Sequence, residues 1–132
     1  MSAPAVRGAP LTWLRLEGAV LLAGAAGAYR WEGGSWALLA VAVLAPDLSM
    51  LGYLRRPVAG ARCYNLAHAS PLPACVLGAG VLGESRALIC AGLIWLCHIG
   101  LDRLLGYGLK YPGGFSLTHL GGAAPDDAAG AL

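Results

Sequence analysis

The chain has 132 residues, of which 58% are hydrophobic and only 12% charged, with a formal net charge of +2. Soluble domains of this size carry about 25% charge, so this composition excludes an ordinary water-facing globule and points to a membrane protein. The nine Lys and Arg residues form no basic cluster, which leaves no electrostatic footprint for nucleic acid.

A bilayer core calls for roughly 20 apolar residues per helix, and the sequence offers four such stretches in one domain, residues 1–121. The first runs over about residues 11–29 and carries Glu17. Arg7 and Arg15 followed by "AGAAGA" resemble a cleavable secretion signal, but an acid inside the apolar part argues for a retained helix. The second covers about 36–54 and contains "APDLSMLGY". There Pro46 costs the helix a hydrogen bond. Asp47 either caps a short final turn or faces a cavity beside the break. The third covers about 63–83, with Tyr64, Asn65 and His68 at its start and Pro71 and Pro73 further on. The fourth covers about 86–106 and holds His98, Asp102 and Arg103 near its end. Between them, "RWEGGS", "RRPVAGAR" and "GES" read as turns. The pairs Gly24/Gly27 and Gly78/Gly80 are the candidate sites of close helix packing.

The cationic residues orient the bundle. Arg7, Arg15, Arg55, Arg56, Arg62, Arg103 and Lys110 fall on one side, and only Arg30 and Arg86 on the other. Seven against two places both termini in the cytoplasm by the positive-inside rule, in a multi-pass protein of the cell membrane. Beyond Gly106, "YGLKYPGGFSLTHLGG" is too broken for a fifth span and reads as a tail lying on the cytoplasmic surface. His119 would matter only if that tail folds under the bundle. Residues 122–132 are small and acidic and read as disordered.

In this topology Glu17, Asp47, Tyr64, Asn65, His68, His98 and Asp102 all fall in one layer, within roughly 12 Å of the cytoplasmic boundary. His98 and Asp102 are four apart and share a helix face, as do Tyr64 and His68. Ionisable groups at such depth are costly and mark function, while Arg103 is placed to snorkel toward anionic headgroups. Three chemistries fit. The two histidines with Asp47, Asp102 and Glu17 are ligand types for a divalent metal such as zinc, iron or manganese. The same histidines, oriented by a carboxylate, could act as acid and base on a membrane-associated or small substrate. Finally, Tyr64, Asn65 and Arg103 could complete a structural network around the site or around a bound group. A transporter or channel component is a further class, but no polar residues continue to the outer face. A homo-oligomer is compatible with the sequence. The four cysteines, Cys63, Cys75, Cys90 and Cys97, form no CxxC pair and read as small hydrophobes.

The blocks "RLEG" (15–18), "PDLSMLGYL" (46–54), "YNLAH" (64–68), "HIGLDRLLGYGLKY" (98–111) and "THLG" (118–121) resemble those of a bacterial family of small integral membrane proteins, domain of unknown function 4260. The resemblance implies a four-helix membrane protein and supplies no reaction. A more distant similarity is to the membrane-bound metal-dependent hydrolases, with their P-D-x-D, H-R and T-H-S blocks. The chain departs from them at Ser49, at Leu120–Gly121 and in having no early histidine.

Overall fold

The computed structural model describes residues 5–121 and is helical throughout its membrane-length segments. Helix α1 spans Ala9–Trp31, α2 Trp36–Ala42, α3 Pro57–His68, α4 Pro71–Leu82 and α5 Arg86–Leu105. A 3-10 helix, Ala45–Leu54, continues α2. The result is four helical passes, two of them broken midway. Residues 122–132 lie outside the described part, and so does the expected disorder there.

Helix α5 is the axis. Its most apolar stretch is 44% buried, against 0% for the corresponding stretch of Trp36–Leu54. Helix α1 runs antiparallel along it, and α4 packs on its other side. The α1–α5 seam is close because both helices offer glycine at the crossing. A Cβ added at Gly18 would stand 2.6 Å from Arg103 Cβ, and one at Gly100 2.6 Å from the Leu22 backbone nitrogen. Gly92 and Gly80 do the same where α4 meets α5. Gly24, Gly27 and Gly78, which spacing alone favoured, have nothing within 4 Å. Further along the seam Ala25, Tyr29, Leu93, Leu96 and Cys97 form the buried core. All four cysteines are free thiols.

Large apolar side chains such as Val20, Trp31, Val41, Leu48, Leu54 and Leu82 point outward and are exposed. Exposure of that extent is unfavourable in water and natural against lipid. Three segments, Trp36–Leu54, Pro57–Leu82 and Arg86–Leu105, are long and apolar enough to cross a membrane. Helix α1 does not meet that measure because Arg15 and Glu17 dilute it, yet it lies coextensive with α5. Arg15 Nε donates to the Leu104 carbonyl at 2.8 Å at one end, and Arg86 Nε to the Glu32 carbonyl at 2.6 Å at the other.

Two expected boundaries change. The third pass starts at Pro57, not near residue 63, because proline at the first helical position costs no hydrogen bond and has its φ already set. "RRPVAGAR" is therefore mostly helix, and the turn shrinks to Arg55–Arg56. The same pass breaks at Ala69, which is extended, and restarts at Pro71, whose missing N–H costs nothing at the first helical position. The freed carbonyls are taken up by side chains. Trp95 Nε1 donates to Ala67 O at 2.6 Å and Arg103 Nη2 to His68 O at 2.8 Å. A helix break inside a membrane is tolerated when its backbone is satisfied this way.

Candidate functional site

Asp47 sits in the first turn of the 3-10 helix, whose tighter winding is tolerated only in short pieces and often marks a functional position. Opposite it, His68 is the last residue of α3, at the break. His98 and Asp102, one turn apart on α5, complete the group from the bundle axis. His98 is seven residues from the end of α5, about 10 Å along the axis. His68 is eleven residues into Pro57–Leu82, about 16 Å, and Asp47 seven from Leu54, about 14 Å at the 3-10 rise.

Four ligand-type atoms converge. The two Nε2 atoms of His68 and His98 are 2.9 Å apart. Asp47 Oδ1 lies 3.4 Å from His68 Nε2 and 3.6 Å from His98 Nε2. Asp102 Oδ2 lies 3.6 Å from each of the same two nitrogens. Asp47, His68 and His98 offer atoms that are all within 4.8 Å of one another, a spacing that could hold a metal ion. Both histidines are buried, at 0% and 2% exposure, while the Asp47 side chain is partly open.

The tautomer of His68 follows from its partners. Its Nδ1 is 2.8 Å from the Tyr64 carbonyl oxygen, which can only accept, so Nδ1–H donates and the neutral ring turns the Nε2 lone pair into the cluster. Metal-binding histidines are held in this way, the second nitrogen donating to a carbonyl or carboxylate. Tyr64 also stacks on the His68 ring at 3.7 Å between centroids, 10° from parallel, and its hydroxyl donates to Asp102 Oδ2 at 3.2 Å. It fixes one histidine and one carboxylate together. His98 Nδ1 is buried with no hydrogen-bond partner, so that ring lacks the corresponding support. Among the described residues, neither Asp47 nor Asp102 has a Lys or Arg at ion-pair distance.

The other candidates separate from the cluster. Glu17 is exposed on α1 and lines a different recess with Ser70, Arg103 and His119; equal depth did not bring it to the same face. Arg103, read as a headgroup contact, spends its donors on the carbonyls of His68 and Tyr107, at 2.8 and 2.7 Å. Asn65 faces the tail: its Nδ2 donates to Lys110 O at 2.8 Å and its Oδ1 accepts from Lys110 N at 2.6 Å.

That tail folds back beneath the cluster. Lys110 Nζ sits 4.9 Å from the Tyr64 ring centre and donates to Phe115 O at 2.7 Å. Phe115 meets Tyr53 edge to face at 5.3 Å. His119 Nδ1 accepts from Leu109 N at 2.8 Å, while the His119 carbonyl accepts from Val6 N at 2.8 Å. Burial, with the positive charge of Arg103 second, holds the His119 ring below its ordinary pKa. Burial likewise lowers the Lys110 ammonium, partly offset by Asp102.

Sequence reasoning missed Trp95, whose indole N–H supports the break behind His68. Its signal was the pair of prolines in "SPLP", which implies unpaired carbonyls one turn earlier. No curated protein and no solved structure matches the chain. The family model described as "Domain of unknown function (DUF4260)" matches residues 11–123, and with the helical passes and the His98–Tyr111 block in place, the chain belongs to that family.

Proposed function

We propose that this protein is a metal-binding enzyme of the cell membrane, with both termini in the cytoplasm. In this reading Asp47, His68, His98 and Asp102 hold one divalent cation, zinc, iron or manganese. The observation that carries it is that Asp47, His68 and His98 offer ligand atoms all within 4.8 Å of one another, with Asp102 Oδ2 3.6 Å from both histidine nitrogens. In a tetrahedral site with bonds of about 2.0–2.2 Å, ligand atoms stand roughly 3.3–3.5 Å apart. Four of the contacts, at 3.4 to 3.6 Å, lie at or near that range, and the 2.9 Å His68–His98 contact is a few tenths short of it. Charge supports the same assignment: neither carboxylate has a Lys or Arg at ion-pair distance among the described residues, and a dication between them would balance their charge. The orientation rests on the asymmetry of Lys and Arg.

A cation held there would act as a Lewis acid on a substrate oxygen and lower the pKa of a water beside it. The chain's own residues supply the rest. Tyr64 holds Asp102, and the Tyr64 carbonyl holds His68, so both groups are aimed before substrate arrives. Asp47 is 35% exposed at its side chain, the most accessible of the four, and would be the ligand nearest an arriving substrate. The substrate is membrane-associated or small, with its reactive oxygen at the layer of Asp47. Membrane transport by a solitary four-pass unit has no supporting feature on the outer side.

A second reading draws on the unpartnered His98 Nδ1 and the 2.9 Å nitrogen–nitrogen contact. His98 Nε2–H would donate to His68 Nε2, making a metal-free acid–base pair. Titration with cobalt(II) separates the two. The metal reading predicts intense visible ligand-field bands of a tetrahedral ion, saturating at one equivalent and absent in His98→Ala. Only the weak spectrum of hydrated cobalt, unchanged by that substitution, favours the shared proton.

A further inference from the structure

A cavity of about 450 Å³ opens beside the cluster, and its size is that of small-ligand sites, roughly 300–1,000 Å³. Its wall is built from the residues that flank the ligands. Pro46 precedes Asp47, Ala67 precedes His68, and Trp95 lies one turn before His98. Ala42 and Ala91 extend it away from the cytoplasmic end. The slot exists because alanines occupy positions where larger residues would have closed the gap between the second pass and α5. Trp95 bounds it and is fixed by its bond to Ala67 O. Every lining residue belongs to a membrane-length segment, so the slot borders hydrocarbon rather than water. One polar group interrupts it: Ser49 Oγ, buried without a partner, on the same wall as Asp47.

We infer that this cavity holds the hydrocarbon chain of an amphiphilic substrate whose oxygen-bearing head reaches Asp47, His68 and His98. The inference rests on the proposed metal site and adds the substrate class, a single-chain lipid or lipid-like ester or alcohol. The apolar slot takes the chain. The cluster meets the head itself. A chain entering sideways from the bilayer needs no aqueous path, which suits a site whose cytoplasmic side is covered by the tail.

The probes are dodecanohydroxamate and acetohydroxamate, which share a metal-binding head and differ in chain, added to zinc-loaded protein in digitonin. Binding is read from fluorescence of a Trp13→Phe/Trp31→Phe/Trp36→Phe variant, which keeps Trp95 alone. The long-chain probe should bind on the order of tenfold tighter after correction for micelle partition. Ala91→Phe should abolish that gain while metal content and acetohydroxamate affinity stay unchanged. Equal affinity of the two probes, or a long-chain gain that survives Ala91→Phe, overturns the inference and leaves the metal site standing. If neither hydroxamate binds because no metal is held, the metal reading fails and 9,10-dibromostearate reads the slot alone. Quenching of Trp95 that Ala91→Phe removes supports a chain site, and absence of quenching overturns it.

Discussion

Asn65 spends its whole amide on the backbone of one tail residue, Lys110. Replacing it with Leu leaves a buried N–H and C=O without partners, at about 1–3 kcal/mol each way. The expected outcome is faster amide exchange from Lys110 to Gly121 with the bundle unchanged, measured by hydrogen–deuterium exchange. His119 gives the tail a pH dependence. Its folded pKa is depressed below the ordinary 6.5, so docking is at full strength above about pH 6.5 and is lost as pH falls through the lowered value. Protonation also removes the acceptor that Leu109 N–H uses. Exchange at Leu109 should therefore accelerate between pH 7.5 and pH 5, and His119→Asn, which cannot titrate, should flatten that profile. Unchanged exchange at acid pH would contradict the assignment.

Residue-level legibility was uneven for a geometric reason. His98 and Asp102 were readable as a pair because four residues make one helical turn. Asp47 and His68 were readable by depth, since topology fixes which segment ends share a layer. Depth does not fix azimuth, however. Glu17 and Asn65 lie in the right layer but face other surfaces, and Arg103 turns one donor to the His68 carbonyl, free because α3 breaks there, and another to the Tyr107 carbonyl beyond α5.

At the scale of the element, the seam between α1 and α5 depends on hydrogen-sized side chains at two crossings. Gly18→Ala forces a methyl against Arg103 Cβ and the Leu104 nitrogen. Overpacking of this kind costs roughly 1–3 kcal/mol. Thermal unfolding in detergent should show a clear loss for Gly18→Ala and for Gly100→Ala, and none for Gly24→Ala, whose Cβ meets nothing. Equal effects at Gly18 and Gly24 would mean that the helices are not packed this way. Glycine pairs three apart are a motif of membrane helices in general, and sequence cannot say which glycines meet a partner. The partner of Gly18 lies 82 residues away, at Gly100. Helix breaks were partly legible. Pro46 and Pro71 announced them, but the ten-residue 3-10 stretch has no periodic signature distinct from an α-helix over so short a span. That stretch places Asp47 about 14 Å along the axis from Leu54, at about 2 Å per residue.

The whole molecule is an inside-out problem in solvation: apolar residues face lipid, and the most polar side chains gather near the middle of the bundle under a folded tail. Two carboxylates there call for compensation, and in the proposed reading a single cation beside Asp47, His68 and His98 supplies it. The number of passes and the family were legible from the greasy stretches and the His98–Tyr111 block, because both are local in sequence. The reaction was not, because ligand spacing arises only when the 3-10 helix, the α3 terminus and α5 meet.

The most direct measurement is elemental analysis of protein purified in mild detergent, beside Asp47→Asn and His98→Ala/Asp102→Ala variants whose thermal unfolding shows that they remain folded. The account predicts close to one zinc, iron or manganese per chain in the native sequence and at least a tenfold loss in both variants. Metal-free protein, even after reconstitution with all three ions, would contradict it, and so would metal that persists undiminished in both variants.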